Sequence, residues 1–214
     1  MTEKTVAAPT LHRAPMRKRG IERFEFLLDA TAALIAENPD ADISLAHIAE
    51  RAEVPIASVY HFFPNRNAVF VALAQRYHRQ ISEMLMVENN EPPERWQELF
   101  EFRLSRSAQF LNANPAALRL FMGAGVSAEV RNADVAGNAE LARQRAAYLR
   151  HHYLMAPMPD LEKRLAIALA LIDGIWALSY SNHRMITDEY VQEAVRASLM
   201  YLRCYLPEHL QRQR

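Results

Sequence analysis

Ile56, Ala57, Ser58, Tyr60 and His61 lie close together in the stretch from Ile48 to Arg66. Their types suit one kind of chemistry: non-covalent contact with base edges and the backbone beside them. The stretch reads as a short helix, a tight turn, a second short helix and an exit broken at Pro64-Asn65. Leu45, Ile48, Ala49, Val54, Val59 and Phe63 are spaced to give the apolar contact that holds two such helices rigid. The second helix then presents Ile56, Ala57, Ser58 and His61 outward, with Tyr60 angled toward the backbone. The major groove of duplex DNA is just wide enough to admit such a helix.

Other chemistry is poorly supported. His151-His152 suggests a metal, but neighbours on a helix point about 100° apart, a poor geometry for chelation. No Ser, His and Asp set carries a motif for nucleophilic catalysis. Gly123-Ala124-Gly125 has no strand before it, so a nucleotide loop is not expected. The expectation is no enzyme, no metal and no cofactor.

Charge is divided unevenly along the chain. Its 214 residues hold 25 Lys+Arg and 25 Asp+Glu, a neutral balance that by itself argues against a nucleic-acid binder. Yet Lys4, Arg13, Arg17, Lys18, Arg19 and Arg23 gather at the N-terminal end, opposed by Glu3 and Glu22. A basic arm beside a DNA reader, with a second half that binds something else, fits both observations. Cys204 is the only cysteine, so no intrachain disulfide forms. Val6-Ala7-Ala8 is too short for the apolar core of a signal peptide. The apolar run Leu165 to Tyr180 falls short of the ~20 residues that span a bilayer. A soluble, cytoplasmic protein with no membrane partner is expected.

The elements that must position these residues are helical. Glycine is scarce and apolar spacing is helical almost throughout, so the fold class is all-α with about nine helices. Residues 1–16 read as a flexible basic arm, 17–66 as a helix-turn-helix domain and 67–214 as a helical effector-binding and dimerisation domain. Helix one starts near Arg17 and turns Ile21, Phe24, Leu28, Thr31 and Ile35 to one face. Pro39 ends it. Ser44 is a natural cap for the second helix and Pro55 suits the first turn of the third. Glu22, Glu25 and Asp29 read as a solvated face. Later helices are bounded by Asn114-Pro115, Gly123, Ser127, Pro157 and Pro159, and Thr187 caps the last.

Residues 21 to about 70 resemble the DNA-binding domain of the TetR family of bacterial transcriptional regulators. That family's pattern runs roughly G-V-S-x-x-x-x-Y-x-x-F-x-[ST]-K-x-x-L after the turn. Here Val54, Tyr60 and Phe63 stand in place, and Ile48-Ala49 matches the family's Ile-Ala pair. Arg66, Asn65 and Val69 are conservative replacements. Glu53 stands at the usual turn glycine and Pro55 at the usual capping serine. The resemblance implies that Ser44, Tyr60 and Arg66 contact phosphates, that Ile56, Ala57 and Ser58 face bases, and that His61 reaches either. With no Arg or Gln for bidentate base contact, methyl contacts to thymine are expected. Arg17, Lys18 and Arg19 could enter the adjacent minor groove.

The second half is less explicit. Leu165 to Tyr180 is apolar nearly all round and needs cover on two sides. Val191, Val195, Leu199, Leu202 and Leu206 form another stripe on the last helix. The resemblance implies a homodimer in which these two helices pair with a second copy, and Ile172, Val195, Leu199 and Leu202 are the expected seam. Trp96, Phe100, Phe110, Met122, Tyr148 and Trp176, beside Arg103 and Arg145, could line an adaptable effector pocket or form ordinary core. Asp173 could pair with an arginine, face a ligand amine or lie near the seam. The resulting expectation is a homodimeric repressor of a palindromic operator, released by a small, largely apolar effector of unknown identity. The alternative is a DNA-bound protein whose second half recruits a protein partner.

Overall fold

The computed structural model describes residues 18–39, 41–87 and 92–213. The expected arm and Arg17 lie outside them. Nine helices occur among the described residues: α1 (Lys18–Glu37), α2 (Leu45–Arg51), α3 (Ile56–Phe62), α4 (Arg66–Val87), α5 (Trp96–Ala113), α6 (Pro115–Met122), α7 (Ala128–His152), α8 (Leu161–His183) and α9 (Asp188–Arg203). The all-α reading holds, with one short strand pair beside the helices. Tyr153–Leu154 (β1) and Gln211–Arg212 (β2) pair antiparallel, a ladder too short to show as alternation in the sequence.

Helix boundaries follow local chemistry. Ser44 caps α2, its hydroxyl accepting the His47 backbone N–H at 3.2 Å while His47 Nδ1 accepts that of Ser44 at 3.3 Å. Asn65 Oδ1 accepts the Ala68 N–H at 2.9 Å and opens α4. Ser127 caps α7, and Pro115 occupies the first turn of α6. Thr187 precedes α9, but its side chain makes no cap there and its hydroxyl has no hydrogen-bond partner.

In the N-terminal unit, Phe24 stacks against Phe63 at 5.0 Å and meets Phe62 edge-on at 5.9 Å, over fully buried Leu27, Leu28, Ile48 and Val59. Ile21 is the exception to the expected α1 face: it lies on the exposed first turn. Glu25 and Asp29 are not a merely solvated face either. Arg76 on α4 donates to both, at 3.2 and 2.7 Å.

α4 begins beside α3 and runs on into the second half, packing against α1, α6 and α7. Its 22 residues make a rod of about 33 Å. Three side-chain bonds join it to α7: Asn67 to Glu129 (3.2 Å), His78 to Asp134 (3.1 Å) and Ser82 to Gln144 (2.7 Å). α8 packs on α6, α7 and α9. At 23 residues with mean hydropathy 1.4 it is long and apolar enough to cross a membrane, longer than the apolar run suggested. Leu165, Ala168, Leu169, Ile172 and Trp176 instead bury its inner side in the bundle.

The C-terminal segment folds back over the start of α5. Trp96 Nε1 donates to the Pro207 carbonyl at 2.9 Å, and Gln97 Nε2 to that of Glu208 at 2.8 Å.

Candidate nucleic-acid interface and effector cavity

The turn between α2 and α3 closes with two backbone bonds, Val54 N–H to Ala49 O at 2.9 Å and Glu53 N–H to Glu50 O at 3.0 Å. This pair is a Schellman ending, and it places Glu53 in the left-handed region at φ 50°. The turn thus keeps the backbone that glycine would supply, on a residue that resists it. Pro55 gives α3 no side-chain cap.

α3 buries Val59 and Phe62 and turns Ile56, Ala57, Tyr60 and His61 to solvent, with Ser58 half-buried. Tyr60 is 58% exposed, so its ring is not a core residue. The His61 ring leans edge-on against Phe62 at 4.8 Å. Lys18 and Arg19 are exposed at the start of α1. Arg66, at the start of α4, pairs with the exposed carboxylate of Asp42 and lies over the Phe70 ring at 5.5 Å. Sequence reasoning missed Asp42 as its partner.

In the second half, a cavity of about 430 Å³ opens between α4, α5 and α7. Of the expected effector residues, Arg103, Arg145 and Tyr148 line it, joined by Ser82, Leu85, Met86, Leu141, Gln144, His151 and His152. A narrower inner pocket of about 40 Å³ is walled by Arg145, Met122, Asp173 and Trp176, with His78, Asp134 and Asn138. Trp96, Phe100 and Phe110 line neither. Trp96 anchors the C-terminal segment, Phe100 is core between Trp96 and Arg145, and Phe110 packs edge-on to Tyr77.

The walls are polar and incompletely paired. Nε of Arg103, Nε and Nη1 of Arg145, the Tyr148 hydroxyl and Nε1 of Trp176 are buried without hydrogen-bond partners. Burial pulls Arg145 down to about 9 and Arg103 to about 10, so both stay cationic at neutral pH. Arg103 lies over the Tyr148 ring at 4.6 Å. Asp173 bonds the Asn138 amide at 2.6 Å, and burial, then the nearby Asp134, pushes its carboxyl up to about 7. It therefore takes an amide partner that was not among those considered for it. A signal for the residues missed was present. Asp134, Asn138, Leu141, Arg145, Tyr148 and His152 recur every three or four positions, which puts them on one face of α7.

The residues expected at the seam are mostly buried within the protomer. Ile172, Leu199 and Leu202 are 2%, 5% and 0% exposed inside one protomer, and Val195 is half-buried. The helices face the other way from that expectation. Their outward apolar side chains are Leu171, Leu178 and Met200.

Fold and exposed α3 face together define a helix-turn-helix protein. Residues 27–73 match the model of the bacterial regulatory proteins of the tetR family. Over 130 residues the chain is 32% identical to the HTH-type transcriptional repressor KstR of Rhodococcus jostii (strain RHA1). That match covers 58% of this chain and 59% of the relative, so it spans a little over half of each. A TetR-family transcriptional regulator from Streptomyces coelicolor superposes with TM-score 0.67 at 23% identity, over 86% of this chain and 99% of that one. The fatty acid degradation regulator FadR from Bacillus halodurans superposes with TM-score 0.64 at 14% identity, over 87% and 97%. RolR, in complex with resorcinol, gives 0.62 at 15%, over 86% and 88%. These structural likenesses establish the fold. Residues 27–73 are thus similar to the DNA-binding domain of the tetR-family regulators, and the described chain shares the fold of these solved structures.

Proposed function

We propose that the chain acts as a homodimeric, cytoplasmic repressor of a palindromic operator and that a small effector in the α4–α5–α7 cavity releases it. Residues 17–66 form the reading unit and 67–214 the effector and dimer unit. The observation that carries this reading is the position of α4. Its first turn holds Arg66 beside the reader, and its last turns supply Ser82, Leu85 and Met86 to the cavity. A ligand wedged between α4 and α7 would favour one setting of that rod over another. That differential affinity is what release requires. A cavity of this size, within the ~300–1,000 Å³ usual for small-molecule sites, favours an effector over a recruited protein.

The operator contacts are those of α3 and its flanks: Ile56, Ala57 and Ser58 on base edges, Ser44, Tyr60 and Arg66 on phosphates, His61 on either, and Arg17, Lys18 and Arg19 toward the minor groove. Leu171, Leu178 and Met200 supply an apolar surface for a second copy. KstR, named as a repressor, supports the sign of regulation.

The test is selection of duplexes from a random pool by the purified chain. An enriched inverted repeat, with half-sites about one helical turn apart or a multiple of it, is the expected result. Enrichment of a single unrepeated site, or of none, would overturn the dimeric operator.

A further inference from the structure

We propose that the effector is an organic monoanion, a carboxylate on an apolar body, whose carboxylate is held by Arg145 and Arg103. This rests on the cavity being the effector site, and it replaces the largely apolar effector that the sequence alone suggested.

Arg145 is 5% exposed and Arg103 7%, yet each guanidinium carries buried N–H groups with no partner. Buried cations are ordinarily paired, and one left unpaired in a protein interior is destabilising. Neither of the nearby described carboxylates hydrogen-bonds either guanidinium, although the charge of Asp173 acts on Arg145. Asp134 is held by His78 at 3.1 Å and Arg131 at 2.9 Å, and Asp173 by Asn138 at 2.6 Å. Among the described residues no Asp or Glu lines the outer cavity, whereas Arg103 and Arg145 do. The site therefore has surplus positive charge with donors in place.

The planar fork of a guanidinium matches the two oxygens of a carboxylate. Asp134 and Asp173 in the adjoining inner pocket disfavour a dianion such as an alkyl phosphate, whose second charge would face them. Leu85, Met86, Leu141 and the Tyr148 ring give the remaining wall an apolar surface for the body of the ligand. Tyr148 and Trp176 each add a buried donor without a partner, suited to a further oxygen on that body.

The experiment is calorimetric titration of the full chain with sodium octanoate, decanoate and dodecanoate, each beside the matching alcohol and alkyl phosphate. At least one carboxylate should bind about tenfold or more tightly than its alcohol and its phosphate, the worth of about 1.4 kcal/mol. Arg145→Met should weaken that carboxylate about 10- to 100-fold, as expected for lost charge-assisted hydrogen bonds, and leave the alcohol within a few-fold. Arg103→Met should act in the same direction. The comparison of head groups on the unaltered chain needs no variant and holds if Arg145→Met does not fold. Alcohols or phosphates binding as tightly as every carboxylate would overturn the proposal, as would indifference to both substitutions.

Release of the selected duplex separates this from the functional reading. Arginine-dependent carboxylate binding that leaves DNA affinity unchanged would support the anion site and sink the effector role. Release by the alcohols as readily as by the carboxylates would uphold the effector role and sink the anion.

Discussion

Arg76 and Asp29 join the reading unit to the long helix: Arg76 Nη1 donates to Asp29 Oδ1 over 2.7 Å and reaches Glu25 Oε2 at 3.2 Å. Arg76 is mostly buried against Tyr77, so its charge is poorly screened, and the two carboxylates beside it raise its pKa against the opposing pull of burial. Arg76→Met keeps the packing and removes the tie. It should lower unfolding free energy by about 1–2 kcal/mol in urea titration, a value discounted for the exposure of Asp29. It should also weaken the coupling of ligand to DNA release. Coupling at the level of the unaltered chain would show that α1 follows α4 without this contact.

Glu53 carries a left-handed backbone that costs a residue with a side chain about 1–2 kcal/mol. Glu53→Gly should therefore stabilise the chain by about 0.5–1 kcal/mol, after the extra entropy of glycine in the unfolded chain is subtracted. Chemical unfolding measures it. A loss of stability would mean that the Glu53 side chain holds something worth more than the strain.

Arg66 is paired with Asp42, a carboxylate that would compete with a phosphate for its guanidinium. Arg66→Ala should flatten the plot of log affinity against log salt by about one unit. Asp42→Asn should strengthen duplex binding a few-fold at low salt, because the guanidinium no longer has a competing partner. An unchanged slope in the first variant would remove Arg66 from the phosphate set.

Asp173 makes stability fall as pH rises. Its native carboxyl titrates near 7, while an unfolded aspartate titrates near about 3.9. Between those values the native state holds more protons, so the stability that is full below about pH 4 is lost through pH 7. Asp173→Asn removes this dependence. It should be about 2 kcal/mol more stable than the unaltered chain at pH 8 and little different at pH 4, by urea unfolding. A gap that does not widen with pH would show the carboxyl to be better solvated than its surroundings indicate.

Leu178 and Leu199 should respond differently to charge. Leu178 is 55% exposed and Leu199 is 5%. Leu178→Glu should keep its helical content and shift sedimentation toward monomer. Leu199→Glu should unfold the chain, since it places a carboxylate in the core. A folded, fully dimeric Leu178→Glu protein would move the interface off this face of α8.

Helix ends and the reader were legible because their causes are local. Ser44, Pro115, Gly123 and Ser127 act within one turn of where they stand, and Tyr60, with buried Val59 and Phe62 on either side of it, could be assigned to a face by period alone. The outward face of α8 was not legible. Both faces of α8 are apolar, so hydropathy could not say which face met α7 and α9 and which met solvent. Trp96 misled for a related reason: an aromatic residue on a middle helix looks the same whether it lines a cavity or anchors Pro207, which is distant in sequence.

The sequence by itself determined an all-helical chain with a DNA reader near its start, since periodicity, caps and the Ile48–Arg66 pattern are properties of neighbours. Only the tertiary structure decided which side chains share a space. Arg103 and Arg145 belong to different helices, and their unpaired N–H groups show only when the side chains packed around them are placed. Pairing across helices depends on how they pack, and no local rule encodes it.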